Sequence, residues 1–203
     1  MPNRTRPRDA ASLVVTKGGA DDLRVLMGRR PPRDRFMPDV WVFPGGRVES
    51  ADAALPVTRA MPRAKARPLE ARWTSAQVRA LASAAVRETW EETGLALGEV
   101  HGATIRPDHA ALTYLGRAIT PSESAIRYHA RFFMASADRA TGRLRSNGEL
   151  IDLRWVPIAK AFDLPIIDVT TEVLRHVERV HAGRRGGPLF IRYRRGVPRI
   201  DRE

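Results

Sequence analysis

The alternation of apolar and polar positions divides the first third of the chain into short strands. Residues 11–16 and 23–27 are predicted strands, joined by a glycine- and aspartate-rich turn at residues 18–22. Residues 40–43 form a third predicted strand, which leads directly into Pro44-Gly45-Gly46. Glycines at this point would let the backbone approach a phosphate or a metal ion closely. We therefore treat this turn as a candidate part of a functional site.

A long amphipathic helix is predicted to begin at Ser75. Thr74 and Gln77 have the spacing of a capping box, and Gly94 suits the left-handed residue that ends a helix. The intervening residues correspond to about five turns. One face of this helix is predicted to pack against a core, and its residues are Val78, Ala82, Ala85, Val86, Thr89 and Trp90.

The pattern in the second half of the chain predicts three strands followed by two helices. The strands are residues 111–120, 126–135 and 149–156, and the helices are residues 157–162 and 166–181. In the second of these strands, alternation places Tyr128, Ala130 and Phe132 on one face and Arg127, His129, Arg131 and Phe133 on the other. The apolar stripe of the last helix is Val169, Val173, Leu174, Val177 and Val180.

Length and composition are those of one globular domain. The 203 residues can bury a sizeable core, and we assign all of them to a single domain. Residues 1–10 are polar and are predicted to form a flexible N-terminus without an apolar secretory segment. No apolar run approaches the roughly 20 residues that span a membrane. Cysteine is absent, which excludes disulfides and thiolate metal sites. We expect a cytoplasmic protein.

The net charge of +12 says little about partners. Only three of the 35 basic residues are lysines, and the arginines are spread along the whole chain. A positive field steers anionic phosphates toward a cleft. We see no nucleic-acid-binding motif, and no basic cluster interleaved with aromatic residues. The sequence therefore favours a small anionic substrate over nucleic acid as the main partner.

The C-terminal extension, residues 183–203, leaves two alternatives open. A glycine-rich break at residues 183–187 is predicted to be flexible, and it precedes the apolar run Leu189-Phe190-Ile191. Residues 188–203 are predicted either to add a strand at the edge of the sheet or to wrap a partner subunit in a homodimer.

The candidate chemistry is concentrated near the end of the long helix. Glu88, Glu91 and Glu92 lie at positions i, i+3 and i+4, so their carboxylates project from one face. Three adjacent carboxylates repel one another unless positive charge lies among them. Hard divalent cations such as Mg²⁺ or Mn²⁺ prefer these oxygen ligands. A divalent metal site is one interpretation, and a solvated acidic helix end is the other.

These residues and the upstream glycines resemble the Nudix box, G-x5-E-x7-R-E-U-x-E-E-x-G-U, where U is a bulky aliphatic residue. Gly46 takes the first position, and residues 87–95 match the second half, with Thr89 in place of the aliphatic residue. The resemblance implies an α/β (α+β) Nudix fold, in which a mixed β-sheet is sandwiched between helices. It also implies a metal-dependent hydrolase of diphosphate bonds in nucleotide-type small molecules. The implied metal ligands are Glu88, Glu91, Glu92 and a backbone carbonyl of Gly45 or Gly46.

The sequence departs from the family pattern in the middle of the box. Asp52 stands where the family has glutamate, and residues 53–86 follow where the pattern has a much shorter spacer. We interpret residues 53–73 as an insertion, a surface excursion with about one short helical turn. It is either a substrate-selecting element beside the site or a tolerated loop. The family role of Arg87 is structural, an ion pair with the residue matched by Asp52, and Glu49 is a competing partner.

The Nudix branch typified by the mammalian peroxisomal coenzyme A diphosphatase carries an insertion at this point. The chain is similar to that branch at Phe36-Met37-Pro38, at residues 84–89, at Ile119-Thr120-Pro121 and at residues 127–133. The similarity implies coenzyme A or an acyl derivative as substrate. The alternatives are ADP-ribose, a dinucleotide or a nucleoside triphosphate, or a non-catalytic domain that binds a nucleotide or RNA.

Further site residues follow from what Nudix enzymes require. Many of them have an extra acid after the box, and Glu149 is our candidate to bind metal or deprotonate water, with Asp152 nearby. The guanidinium fork suits phosphates, so we expect substrate contacts from Arg29, Arg127 and Arg131. The candidate catalytic residues are Glu88, Glu91, Glu92 and Glu149.

Overall fold

The computed structural model describes residues 6–19, 21–34, 37–184 and 186–203. Within these residues the strands are β1 (Arg8–Lys17), β2 (Arg24–Arg29), β3 (Trp41–Val42), β4 (Gly45–Arg47), β5 (Leu95–Ala96), β6 (Gly98–His101), β7 (Thr104–Pro107), β8 (Thr113–Ile119), β9 (Tyr128–Ser136), β10 (Thr141–Gly142), β11 (Ile151–Pro157), β12 (Leu189–Arg194) and β13 (Val197–Arg202). The α-helices are α1 (Arg63–Glu70), α2 (Ser75–Thr93), α3 (Ile158–Ala161) and α4 (Asp168–His181). Short 3₁₀ turns lie at Ser50–Ala53, His109–Ala111 and Ala137–Arg139.

A mixed sheet forms the centre of the protein. Seven strands follow one another in the order β11-β2-β1-β9-β8-β12-β13, while β3 pairs with β2 and β4 pairs with β1. The pairs β1–β9 and β8–β12 are parallel, and the other pairs in this sheet are antiparallel. Two short ribbons, β5–β10 and β6–β7, lie outside it.

Alternation along β1 sends side chains into two cores, one on each face of the sheet. Leu13 and Val15 are fully buried together with apolar residues of α2, whereas Val14 packs with those of α4. The sheet therefore lies between helices, which confirms the α/β fold with a mixed sheet that the resemblance implied. Among the described residues, no helix is both long and apolar enough to cross a membrane.

Helix α2 has the boundaries that its sequence predicts. The Thr74 hydroxyl accepts a hydrogen bond from the Gln77 N–H at 3.3 Å, and the Gln77 side-chain oxygen accepts one from the Thr74 N–H at 2.9 Å. Gly94 ends the helix in the left-handed conformation, with φ of +74°. The predicted apolar face is buried, apart from the partly buried Trp90.

Several strand boundaries differ from the prediction. β1 begins at Arg8 because it pairs in parallel with β9 from that residue onward, so residues 8–10 are strand and not a flexible N-terminus. The third strand shrinks to Trp41–Val42 because only these residues pair with the end of β2. β8, β9 and β11 each begin two residues later than predicted.

Some predicted features lie outside the described residues. These are residues 1–5 of the N-terminus, Ala20 in the first turn, Arg35 and Phe36 in the loop before β3, and Arg185 in the glycine-rich break.

Most of residues 53–73 are exposed, in keeping with the predicted surface excursion, but their helix is longer than the single turn predicted. α1 runs for eight residues through Pro68, and Leu69 at its end is fully buried against the core beside α2. Burying a leucine stabilises by about 1.5–3 kcal/mol, which offsets much of the cost of a proline in a helix. Upstream of α1, Arg59 forms an ion pair with Asp108 and its carbonyl accepts the His109 N–H at 3.0 Å.

The C-terminal segment adds strands at the edge of the sheet, which is the first of the two alternatives predicted for residues 188–203. β12 lies parallel to β8, and β13 returns antiparallel to β12. Leu189 and Ile191 are buried in the core that α4 covers. The segment thus completes the sheet of its own subunit.

Candidate active site

The glycine turn and the end of α2 meet beside β1. In the β1–β4 pair, Gly45 lies opposite Ser12 and Gly46 lies opposite Ala11. A Cβ at Gly45 would collide with the backbone of β1, at 2.6 Å from the Ser12 Cα. A Cβ at Gly46 would lie 2.5 Å from each carboxylate oxygen of Glu88. Only glycines therefore allow the strand and the helix to approach this closely.

Glu92 is the most deeply buried of the three helix carboxylates. It is 5% exposed, and its Oε2 accepts a hydrogen bond from the Gly45 N–H at 2.9 Å. The pKa of Glu92 is raised to about 8, mainly by burial and also by the negative charges of Glu88 and Glu149, whereas the hydrogen bond from Gly45 lowers it. The positive charge of Arg30 lowers this pKa, but by less than burial raises it.

Arg87 neutralises the other two carboxylates. Its Nη1 donates to Glu88 Oε1 at 2.9 Å and to Glu91 Oε2 at 3.1 Å. Its Nε and Nη2 donate to the two oxygens of Asp52 at 2.8 Å and 3.1 Å. Burial by itself would lower the pKa of Arg87, but the hydrogen bond to Asp52 and the charges of Glu88 and Asp52 raise it above its ordinary value. Arg87 is a permanent cation among the acids.

Asp52 reaches Arg87 despite being one methylene shorter than glutamate. Its side chain is 1% exposed and also accepts a hydrogen bond from the Glu49 N–H at 2.7 Å. Glu49 therefore supports Asp52 through its backbone, and the described ion pairs of Arg87 do not include Glu49.

The four candidate catalytic carboxylates line one cavity of about 1110 Å³, together with Asp34, Glu49 and Asp168. Glu88, Glu91 and Glu92 line it from α2, and Glu149 joins them from the loop before β11. Burial raises the pKa of Glu88, and the negative charges of Glu91 and Glu149 also raise it, whereas Arg87 lowers it. The arginines that line the same cavity are Arg30, Arg33, Arg47 and Arg87.

The acids are not arranged as a ready set of metal ligands. In the part of the chain that the structure describes, no three Asp, Glu or His side chains are placed to hold a metal ion together. The reason is that Glu88 and Glu91 are engaged by Arg87, while Glu92 is engaged by Gly45. A cation would have to replace Arg87 at two carboxylates.

Comparisons with known proteins identify the family. A NUDIX domain model matches residues 77–177, which include all three helix glutamates and begin after the glycine turn. The crystal structure of a NUDIX hydrolase from Alicyclobacillus acidocaldarius is similar over 85% of this chain and 91% of that one, with 28% identity and a TM-score of 0.64. The chain belongs to the Nudix hydrolase superfamily.

Two more distant structures share the Nudix fold. A MutT protein from Bacillus halodurans is 19% identical, with 96% of this chain and 97% of that chain covered and a TM-score of 0.54. An Ap4A hydrolase from C. elegans is 15% identical, with 87% and 98% covered and a TM-score of 0.54. No curated protein matches the chain in sequence. The protein is a Nudix diphosphohydrolase that cleaves nucleoside diphosphate-linked substrates.

Two of the arginines predicted to bind substrate in this Nudix enzyme are used elsewhere. Arg29 pairs with Asp152 at 2.8 Å and with Asp39 at 2.5 Å, and none of the three residues lines the cavity. The second predicted acid, Asp152, is thereby placed outside the site. Arg131, only 2% exposed, lies on the opposite face of β9 from the cavity, where it pairs with Asp9.

The alternation of side chains along β9 explains why Arg131 does not reach the cavity. Tyr128, Ala130 and Phe132 line the cavity, as the alternation predicted for one face. On the other face, the guanidinium of Arg131 and the ring of His129 lie 4.8 Å and 6.0 Å from the Trp73 ring. His129 is therefore a packed strand residue.

The third predicted substrate arginine, Arg127, donates to the Thr120 carbonyl at 3.3 and 3.4 Å and is not among the residues that line the cavity. Residues 53–73 also contribute nothing to the lining, because they pack on the side of α2 and β7. The turn Thr120–Ser124 does reach it, through Thr120, Pro121 and Ser124.

Sequence reasoning missed several residues that line the Nudix site. Arg30 and Arg33 lie in the loop after β2, beside Arg29, which is the arginine of this region that we predicted to bind substrate. Arg47 follows Gly46 directly, so its position was a usable signal. Asp168 and Tyr193 also line the cavity, and nothing in the local sequence marks them.

Proposed function

We propose that this Nudix enzyme hydrolyses the diphosphate bond of coenzyme A or an acyl-coenzyme A in the cavity beside α2. One observation carries the proposal: Glu88, Glu91, Glu92 and Glu149 line the same cavity as the glycine turn and four arginines. Carboxylates gathered in this way repel one another and an anionic substrate. A divalent cation among them removes that repulsion, which supports metal-dependent hydrolysis.

The donor chemistry of the site fits Mg²⁺ or Mn²⁺, which prefer oxygen ligands. The proposed ligands are Glu88, Glu91, Glu92 and a backbone carbonyl of Gly45 or Gly46. The raised pKa of Glu92 and of Glu88 supports the fit, because a nearby cation stabilises the charged form of both. A bound cation supplies charge neutralisation at the oxygens of the diphosphate.

The protein's own residues have three tasks in this mechanism. Glu149 accepts a proton from water as the water oxygen bonds to phosphorus and the bond from phosphorus to the bridging oxygen breaks. Its carboxylate is positioned by a hydrogen bond from the Asn147 side-chain amide at 3.1 Å. Arg30, Arg33 and Arg47 contact phosphate oxygens, for which the guanidinium fork is suited.

The third task is to keep the metal-binding acids in place. The Gly45 N–H fixes the Glu92 carboxylate, and the Asp52 ion pair holds Arg87 on one side of the acids. If Glu88 and Glu91 held a cation in place of Arg87, the ion pair with Asp52 would still neutralise the guanidinium.

The choice of coenzyme A rests on the resemblance at Ile119-Thr120-Pro121 and on the size of the cavity. Thr120 and Pro121 line it, and its volume of about 1110 Å³ lies slightly above the range of about 300–1,000 Å³ that is usual for ligand sites. Such a cavity suits a long substrate. The products are adenosine 3′,5′-bisphosphate and a 4′-phosphopantetheine.

A substrate panel tests the proposal. Coenzyme A, acetyl-coenzyme A, ADP-ribose, a dinucleotide and a nucleoside triphosphate are incubated with Mg²⁺ or Mn²⁺, and products are measured by mass. We expect Glu91→Gln to lower turnover by at least roughly a hundredfold, and Glu178→Gln, an exposed glutamate on α4, to have no effect. A preference for ADP-ribose would mean that ADP-ribose, and not coenzyme A, is the substrate. Unchanged turnover in Glu91→Gln would refute the proposed catalytic site.

A further inference from the structure

The cavity extends across the sheet to its C-terminal hairpin. Register pairs Arg47 on β4 with Ala10 on β1, Ala10 with Ala130 on β9, Ala130 with Ala118 on β8, and Ala118 with Ile191 on β12. Paired residues lie on the same face. The three alanines of this row line the cavity, so its floor is a shallow path of small side chains.

The length of this path exceeds that of a diphosphate group. Four steps between neighbouring strands, at about 4.8 Å each, separate β4 from β12 by about 19 Å. The glycine turn and the glutamates lie at the β4 end. Tyr193, two residues beyond Ile191 and on the same face, lies at the β12 end and lines the cavity. A substrate whose diphosphate lies at the glutamates can therefore reach the hairpin only with a distal group.

A fixed carboxylate stands at this far end. The Tyr193 hydroxyl donates to Asp168 Oδ1 at 2.6 Å, and the same oxygen accepts the Val169 N–H at 2.8 Å. Burial and the hydrogen bond to Asp168 raise the pKa of Tyr193 above its ordinary value, so its hydroxyl remains a donor. The described residues provide no hydrogen-bond donor to Asp168 Oδ2, and Asp168 lines the cavity.

We propose that Tyr193 and Asp168 form a specificity subsite for an uncharged hydrogen-bond donor at the distal end of the substrate. Asp168 accepts a hydrogen bond from that group, and Tyr193 is the positioning residue that holds the carboxylate. A second phosphate is disfavoured there because Asp168 is negative. An amide N–H and the amino group of a nucleobase are the two sources with this chemistry, and apolar neighbours Ile167 and Val169 suit either. The inference rests on the proposed function for the direction of the substrate.

Binding without turnover tests the subsite separately from catalysis. With a chelator present, dissociation constants are measured calorimetrically for coenzyme A, pantetheine and adenosine. The variants are Asp168→Asn, Tyr193→Phe and the control Asp201→Asn, which alters the same hairpin outside the cavity. A hydrogen bond to a charged group contributes enough that its loss weakens binding about tenfold or more. We expect this for Asp168→Asn with coenzyme A, a smaller loss for Tyr193→Phe, and none for Asp201→Asn.

The two fragments distinguish the sources of the donor. Loss of affinity for pantetheine identifies the amide, and loss for adenosine identifies the base. With the best hydrolysed substrate, both variants should raise KM and leave kcat within about twofold, because neither residue touches the reacting atoms. The subsite proposal would be overturned if Asp168→Asn bound these ligands as tightly as the wild type does. It would also be overturned if the wild type bound neither pantetheine nor adenosine. An inactive wild type that still shows the expected affinity losses would refute only the proposed reaction.

Discussion

Replacing Gly46 with alanine is expected to disable the enzyme while leaving its fold nearly intact. The added Cβ would lie 2.5 Å from each carboxylate oxygen of Glu88, whereas comfortable contacts lie at about 3.5–4.0 Å. The carboxylate must therefore move by about 1 Å. A misplacement of about 1 Å can cost on the order of a hundredfold in rate. Because the displaced atoms end a flexible side chain, we expect the free energy of unfolding to change by less than about 1 kcal/mol.

Gly45→Ala provides the contrasting variant. Its Cβ would meet the Ser12 Cα at 2.6 Å and would also collide with the Ala11 carbonyl. These are backbone atoms of β1, and they cannot move without disturbing the β1–β4 pair. Overpacking of this kind costs about 1–3 kcal/mol, so this variant should be measurably less stable.

Two measurements separate the variants. Initial rates with Mg²⁺ on the best substrate of the panel report the site, and urea unfolding followed by circular dichroism reports stability. The reasoning is refuted if Gly46→Ala keeps the wild-type kcat, since the position of Glu88 would then be unimportant. It also fails if Gly46→Ala is as unstable as Gly45→Ala, since backbone strain would then explain any lost activity.

Three further predictions concern residues around the site. Asp52→Ala should lower the free energy of unfolding in urea by about 1.5–3 kcal/mol, because Arg87 loses its two hydrogen bonds to Asp52 and keeps its ion pairs with Glu88 and Glu91; a loss below 1 kcal/mol would contradict this. Burial, with the charge of Arg79, lowers the pKa of His109 from 6.5 to about 4. The unfolded chain thus binds a proton that the folded state excludes, and stability falls as pH drops from about 6.5 to 4. His109→Gln should reduce this fall by about 3 kcal/mol, and equal pH dependence would count against it. Arg29→Ala should keep KM within about threefold, because Arg29 and its two aspartate partners lie outside the cavity; a tenfold rise in KM would restore its predicted role in binding substrate.

The sequence by itself determined the elements whose causes are local. The caps of α2 at Thr74 and Gly94 depend on residues within one turn, and the structure contains both. The spacing of Glu88, Glu91 and Glu92 follows from the helical period, so the cavity receives all three from one helix. The faces of β9 were predictable for the same reason, because side chains alternate along any strand.

Tertiary structure decided which side of each element meets the cavity. Alternation separated Arg131 from Tyr128, but it could not say which face was the binding face until α2 and α4 had packed on the sheet. Likewise, Leu69 anchors α1 to the core through contacts distant in sequence, although most of residues 53–73 stay exposed. Tyr193 reached Asp168 only because β12 joined β8. Local patterns specify periods and caps, whereas the partners of a side chain depend on which distant surfaces bury apolar area together.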